Sequence, residues 1–364
     1  MLTLEMLGHF EHLWSEYMKI NNLALLLSGL FLNTAASAQN PPTKPPELVV
    51  LEQYVGNWVT DVTNKPAVWD RHGTLYRTTN QAEMILDGWF LHHIEVTQVV
   101  GAPGKESKSL FLWTFDQDKK HFVAWPFQST GNTGPSVGDW NAATKTFTTS
   151  LMEPPPNTTG KMTEQFLDGN TIKGHLMFTD RDGSVLMDMI WTRNRQTGDV
   201  DKMTPQQWEK IGDPIEPLPT EIAKLQPFIG NWESDYIDGP SAQAPEGKTM
   251  KGKMTAKWVL DGRFLLGTSD VGSHRSIWLI GYDTTKRHYR SVRFTNHGQI
   301  DETVGLWNDE TSSFVWNAVN DRKGVKRTNI TRIIGDYAIQ SHILSVDNRG
   351  NVQQDLTIRS SRRK

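Results

Sequence analysis

The stretch VGNWVTD at residues 55–61 returns as IGNWESD at 229–235, and ILDGWFL (85–91) returns as VLDGRFL (259–265). The spacing between the two phrases is the same in both halves. Aligned residue by residue, Glu47, Leu51, Gly56, Asn57, Trp58, Leu86, Asp87, Gly88 and Phe90 recur 174 positions later. They become Glu221, Leu225, Gly230, Asn231, Trp232, Leu260, Asp261, Gly262 and Phe264. Beyond them the offset falls to 167, so that Asp116, Lys119, His121, Phe127, Gly131, Trp140, Phe147 and His175 match Asp283, Lys286, His288, Phe294, Gly298, Trp307, Phe314 and His342. One seven-residue difference, in the loop around 99–108, accounts for the change. A duplication with a period near 170 is far longer than a solenoid repeat, so each copy is expected to be a complete domain. The chain length of 364 residues agrees with two cores.

Within a copy the punctuation is that of an antiparallel β meander. Asp87-Gly88 stands between QAEMI and WFLHHIEV and supplies the positive φ values of a two-residue hairpin turn. Asp168-Gly169 and Asp182-Gly183 repeat the signal, and DQDKKH (116–121) reads as a longer hairpin loop. Counting runs between turns predicts about ten strands per copy. Such a meander buries its apolar face and removes its edges by closing into an up-and-down barrel. The fold class is therefore all-β, two tandem antiparallel barrels, each preceded by a short helix, at PELVVLEQYVGNW and at PTEIAKLQPFIGNW with Thr220 as the N-cap. The expected organisation is an N-terminal extension and signal over 1–38, a proline-rich linker over 39–46 and a first barrel over 47–195. A linker with a capped helical turn at Thr204-Pro205-Gln206-Gln207 follows over 196–220, and a second barrel over 221–361.

From Met18 the chain has one lysine, an apolar run from Leu23 to Leu32 and a small-residue end, Ala36-Ser37-Ala38. That is the pattern of a secretory signal cleaved after Ala38, and the run is too short to span a bilayer comfortably. Residues 1–17 carry three glutamates and do not fit a basic n-region, which makes Met18 an alternative start. The expectation is a secreted or periplasmic protein without a membrane span. Lys+Arg 38 against Asp+Glu 41 gives a net charge of -3, with no domain-sized basic stripe, which argues against nucleic acid as a partner. There are no cysteines, so thiol nucleophiles, thiolate metal sites and disulfides are absent from the chemistry.

A Gly-x-Trp on the first strand after a short helix, here Gly56-Asn57-Trp58 and Gly230-Asn231-Trp232, resembles the calycin barrels, the group of lipocalins and fatty-acid-binding proteins. Together with LDG-W/R-FL, D-x-x-K-K/R-H-F/Y and G-x-W-N, it is similar to a bacterial domain-of-unknown-function family, often exported, with lipocalin-like barrels. The resemblance spans both copies. It implies a barrel and a small hydrophobic ligand, and it brings no catalytic residues with it.

Searches for catalytic signatures find none: no Gly-x-Ser-x-Gly, no His-Glu-x-x-His, no phosphate-cradling glycine loop and no dinucleotide fingerprint, so no cofactor is expected. His121, His288, His175 and His342 each lack a close second ligand, so no metal site is expected. His92 and His93 point to opposite faces of one strand. Alternation puts Ala82, Met84 and Leu86 on one face and Ala256, Trp258 and Leu260 on the corresponding one. Across a two-residue hairpin Leu86 pairs with Trp89 and Leu260 with Arg263, placing Trp89 and Arg263 at the barrel mouths. The opposite face, with Phe90, Ile94, Phe264 and Leu266, is apolar too. Trp125, Trp191, Trp258, Trp278 and Trp316 have no tryptophan equivalent in the other copy and either differentiate the pockets or pack between the barrels.

The candidate ligand-binding residues are Met84, Trp89, His93, Trp125, Trp258, Arg263 and Arg293, the last two suited to an anionic head group in the second barrel. The first functional expectation is a non-catalytic protein holding a small apolar or amphipathic molecule in one or both barrels. A filled-barrel interaction module, and an enzyme using His93 or His121 beside a carboxylate, are the alternatives. They differ in what the interior must hold: a lined cavity, packed side chains, or a histidine within reach of a carboxylate.

Overall fold

In the computed structural model, residues 43–102, 104, 106–131, 134–197, 217–241, 245–319 and 324–363 are described. The expected signal segment and the Thr204–Gln207 turn lie outside them. The first copy is a closed antiparallel barrel of ten strands. They are β1 (Gly56–Lys65), β2 (Thr74–Ile85), β3 (Phe90–Val99), β4 (Glu106–Asp116), β5 (His121–Gln128), β6 (Ser136–Asn141), β7 (Thr146–Leu151), β8 (Thr158–Phe166), β9 (Thr171–Asp180) and β10 (Val185–Arg195). The second copy is another closed ten-stranded barrel. Its strands are β11 (Gly230–Asp238), β12 (Lys248–Val259), β13 (Phe264–Val271), β14 (His274–Asp283), β15 (His288–Thr295), β16 (Ile300–Asn308), β17 (Ser313–Ala318), β18 (Lys326–Ile334), β19 (Ala338–Val346) and β20 (Val352–Arg362). Each strand pairs with its sequence neighbour, and β1 with β10 and β11 with β20 close the rings. No described helix is long and apolar enough to cross a membrane.

One end of each barrel is plugged. A 3-10 turn at Pro46–Leu48 runs into helix α1 (Val49–Glu52) and buries Leu48, Val50, Leu51 and Tyr54. The second barrel has a 3-10 helix, Thr220–Phe228, instead. Thr220 does not cap it: Pro219 holds the cap position and the threonine hydroxyl bonds the Glu221 carboxylate. Trp58 and Trp232 are buried at the plugs, and their indole N–H groups donate to the carbonyls of Tyr54 (2.7 Å) and Phe228 (2.8 Å). Over each ring lies a duplicated arginine from the last strand, Arg195 at 4.1 Å and Arg362 at 4.9 Å, which the sequence reading missed. Arg195 also donates to the carbonyls of Gln53 and Gly169, so it ties the plug to the barrel rim. Aromatic side chains fill the plug half: Tyr54, Trp113, Phe122, Phe147 and Phe166 in the first barrel, and Phe228, Tyr289, Phe314 and Trp316 in the second.

The outward apolar face of the first barrel's β3, β4 and β5 is explained by the second barrel. Phe90 packs against Phe294 (5.4 Å between ring centres), and its equivalent Phe264 packs against Phe127 (5.5 Å), the equivalent of Phe294. The ion pairs repeat the exchange. Lys108 bonds Asp261 at 2.5 Å, while Arg275, which stands 167 residues after Lys108, bonds Asp87, which stands 174 before Asp261. A contact made by i on j and by the equivalent of j on the equivalent of i is an isologous, two-fold arrangement within one chain.

Trp89 and Arg263 belong to this arrangement and not to the barrel mouths. The ladders end at Ile85 with Phe90 and at Val259 with Phe264, one pair earlier than expected. Leu86 (φ 50) and Leu260 (φ 52) already take left-handed backbone, so the alternation breaks before the turn. Trp89 swings outward onto Gly298, where an added Cβ would meet its ring at 2.2 Å. Arg263 swings onto Gly131, the equivalent glycine, and donates to the carbonyl of Ser129 at 2.7 Å. The plug end of each barrel therefore lies beside the open end of the other.

Candidate functional site

Strand alternation carries a group of polar side chains into the first barrel. On β1 and β2, Trp58, Thr60, Asn80, Ala82 and Met84 share the inner face; on β3, His93 and Glu95 do, paired with Ala82 and Asn80. Glu164 on β8 faces Gly174, which faces Trp191 on β10, and Arg193 lies two residues on, paired with Thr60. Among these, Thr60, Asn80, His93, Glu164 and Arg193 are all under a tenth exposed.

The geometry is that of one connected network. Arg193 Nη2 lies 3.4 Å from Glu95 Oε1 and 3.4 Å from Glu164 Oε1. Glu164 accepts from the Tyr54 hydroxyl at 2.7 Å and from the Trp191 indole at 3.1 Å. Glu95 accepts from Asn80 Nδ2 at 2.7 Å, and Asn80 Oδ1 accepts from Thr60 at 2.8 Å. His93 Nε2 stands 3.3 Å from Glu95 Oε1 and 3.3 Å from Asn80 Nδ2. Burial, reinforced by the Arg193 charge, pushes the His93 imidazole well below its ordinary range, so the ring is neutral at pH 7. Burial raises the Glu95 carboxyl despite Arg193, and it raises the Tyr54 hydroxyl together with Glu164. Burial works against the Arg193 charge, but Glu164, Glu95 and Tyr54 hold its pKa above the ordinary value. The site is thus one guanidinium between two carboxylates, with a neutral histidine at its edge.

Two residues along β8 and β10 from this group, toward the open end, stand Met162 and Met189, both paired with Leu176 on β9. These three inward apolar side chains are only partly buried, whereas the plug-side aromatics are closed off. The polar group therefore lies beneath an inward-facing apolar wall on the side of the open end. Two open depressions, of about 420 and 520 Å³, lie on the outer wall of this barrel instead, lined by residues such as Asp61 and Arg77 or Lys173 and His175. His175 pairs there with Asp188 (2.8 Å), and its duplicate His342 pairs with Asp355 (2.7 Å).

Of the residues singled out from sequence, Met84 and His93 lie inside the first barrel, His93 at the network itself. His92 points outward to Glu83, as alternation requires. Trp125 lies between the barrels, 6.4 Å from Phe294 and with Arg290 5.2 Å from its ring. Trp258 sits at the second plug, donating to Gln226 at 3.0 Å. Arg293 is inside the second barrel, bonded to Asp301. His121 stands opposite Asp116 in the ladder, but among the described residues no carboxylate is ion-paired with it and its buried Nε2 has no hydrogen-bond partner. Tyr54, Asn80, Glu95, Glu164 and Arg193 were missed; for the four on strands the signal was a charge or amide on an inward parity, while Tyr54 lies in the turn before β1 and carried none.

The second barrel lacks the network position by position. Tyr54, Thr60, Asn80, His93 and Glu95 correspond to Phe228, Ser234, Met254, Gly267 and Ser269, and Glu164, Trp191 and Arg193 to Thr331, Ile358 and Ser360. Ser234 and Ser360 hydrogen-bond each other at 2.7 Å where the first barrel has Thr60 and Arg193.

The molecule is thus a tandem of two β-barrels, the first enclosing a buried ionic network around Arg193. Residues 44–193 are similar to a family described as a protein of unknown function (DUF1579). No curated protein sequence matches the chain. Among solved structures, a protein with unknown function from the DUF3598 family of Nostoc punctiforme PCC 73102 shares 12% identity at a TM-score of 0.30, covering 88% of this chain and 100% of that one. The S-type phycobiliprotein lyase CPES from Guillardia theta shares 8% at a TM-score of 0.33, covering 42% of this chain and 93% of that one.

Proposed function

We propose that this protein is an exported carrier that binds a small amphipathic molecule in the first barrel without making or breaking bonds. The ligand's apolar body lies along Met162, Leu176 and Met189, and its head meets Glu95, Arg193 and Glu164. With two carboxylates to one guanidinium, the floor suits a head that donates hydrogen bonds or carries positive charge. The apolar run Leu23–Leu32 before Ala36-Ser37-Ala38 supports a site of action outside the cytoplasm.

The observation that carries the reading is the second barrel. Taking charges out of water costs several kcal/mol per ion, and a buried pair seldom returns more than an apolar core of equal volume would. The second copy closes the same ten strands with neutral residues at every equivalent position. The fold does not need the network, so its retention in the first copy is accounted for by a ligand.

The test is native mass spectrometry of the intact chain from its own source, beside calorimetric titration with decylamine and decanol. An added mass lost on denaturation, or binding abolished by Glu95→Gln with Glu164→Gln, is the expected result. A clean apo mass with no heat from either probe overturns it. Proton transfer is the second reading, favoured by His93 Nε2 standing 3.3 Å from Glu95 Oε1. It requires turnover of the bound molecule that His93→Gln removes while binding persists.

A further inference from the structure

The second barrel has its own inward charges, at a different place. On β15 and β16, Tyr289 pairs with Gly305 and Arg293 with Asp301, so Arg293 and Asp301 share the inner face with Tyr289, which packs on Phe314. On β18, Thr331 pairs with Phe314 and Asn329 with Trp316, and Arg327 stands two residues further toward the open end on the same face. Arg293 bonds Asp301 Oδ2 through Nη2 at 2.6 Å and Nε at 3.2 Å. Arg327 reaches Asp301 Oδ1 through Nη1 at 3.4 Å. The aspartate side chain is 11% exposed, against 46% and 27% for the two arginines, so the cationic groups lie on the accessible side of the acid. Trp278, paired with Arg293 across the ladder, supplies an apolar neighbour.

The first barrel has Pro126, Gly134 and Gly160 at the equivalents of Arg293, Asp301 and Arg327. Each barrel thus carries an inward ionic triad at positions where its twin has none. The first is carboxylate, guanidinium, carboxylate; the second is guanidinium, carboxylate, guanidinium. A scaffold that folds without either triad holds each for what it meets. Arg293 and Arg327 both reach the Asp301 carboxylate, and guanidinium donors have the fork geometry that carboxylate and phosphate oxygens match.

We propose that the second barrel is a separate binding site for an amphipathic organic anion, its oxygens held by Arg293 and Arg327 and its apolar part beside Trp278. The site is independent of the one in the first barrel, and its partner is of the opposite charge class.

The experiment is calorimetric titration of the intact chain with decanoate, decyl phosphate and decyltrimethylammonium. One equivalent of decanoate or decyl phosphate is expected to bind, the stronger of the two identifying the head group. Arg293→Gln with Arg327→Gln weakens it roughly tenfold or more. Asp301→Asn, which removes the competing carboxylate, strengthens it. Glu95→Gln with Glu164→Gln in the first barrel leaves anion binding unchanged, so failure of one site is read separately from failure of the other. If the double arginine variant does not fold, Arg293→Lys with Arg327→Lys keeps the charge, and partial binding is expected of it. No heat from either anion, equal affinity in the Gln and wild-type proteins, or weaker binding in Asp301→Asn overturns the proposal.

Discussion

The two barrels share a scaffold and differ in what they enclose. Gly56 and Gly230, Trp58 and Trp232, Arg195 and Arg362, and the hairpin glycines are the same in both. Inside, the first holds Glu95, Arg193 and Glu164 deep against its plug, and the second holds Arg293, Asp301 and Arg327 nearer its open end. Within one chain, each copy serves as the other's control: what both keep is needed to close ten strands, and what only one keeps is not.

The comparison breaks most sharply at Arg193. Arg193→Met leaves Glu95 and Glu164 buried together without their cation, a loss of about 3–5 kcal/mol. Adding Glu95→Gln and Glu164→Gln to the same chain removes the stranded charges and is expected to return stability to within about 1–2 kcal/mol of wild type. Denaturant unfolding of the single and triple variants measures both; a triple variant as unstable as the single would mean the network is structural. Between the barrels, Gly298→Ala sets a Cβ against the rigid Trp89 ring at 2.2 Å, whereas Gly131→Ala meets the flexible Arg263 at 3.1 Å. Both positions have positive φ, 76° and 90°, and share that strain. Gly298→Ala is therefore expected to cost about 2–3 kcal/mol and Gly131→Ala about 1–2, measured as the difference in unfolding midpoints.

The smallest effect is on pH. The folded His93 value lies below the unfolded 6.5, so the unfolded chain takes up the proton first as pH falls. The contribution of a neutral His93 is complete above that value and is lost below it, by at most about 1.4 kcal/mol for each pH unit. Glu95, raised by burial, acts in the opposite sense, favouring the folded state on the acid side of its raised value. Wild type compared with His93→Gln between pH 7 and 5 isolates the histidine, and the stability gap between them is expected to move in favour of His93→Gln as pH falls.

The fold was legible because its signals are local or duplicated. The Asp-Gly turns, the strand alternation at Ala82 and Met84, and the twin Gly-x-Trp phrases each speak within a few residues. The opposite parity of His92 and His93 was legible for the same reason. The placement of Trp89 and Arg263 was not, because it depends on Leu86 and Leu260 leaving the strand conformation, which no side chain at those positions announces. The charged sets were hidden for another reason. Glu95, Glu164 and Arg193 lie on three strands that meet only when the barrel closes. Their trace in the sequence is the loss of charge at Ser269, Thr331 and Ser360, a difference between the copies and not a shared residue.

The two-fold relation between the barrels has a consequence for traffic. Because the plug end of each barrel lies beside the open end of its twin, the two entrances face away from each other. A flat boundary such as a lipid leaflet or a wall layer can then cover one open end only by leaving the other in solvent, so a ligand in each barrel, as proposed above, would enter from the opposite side of the molecule.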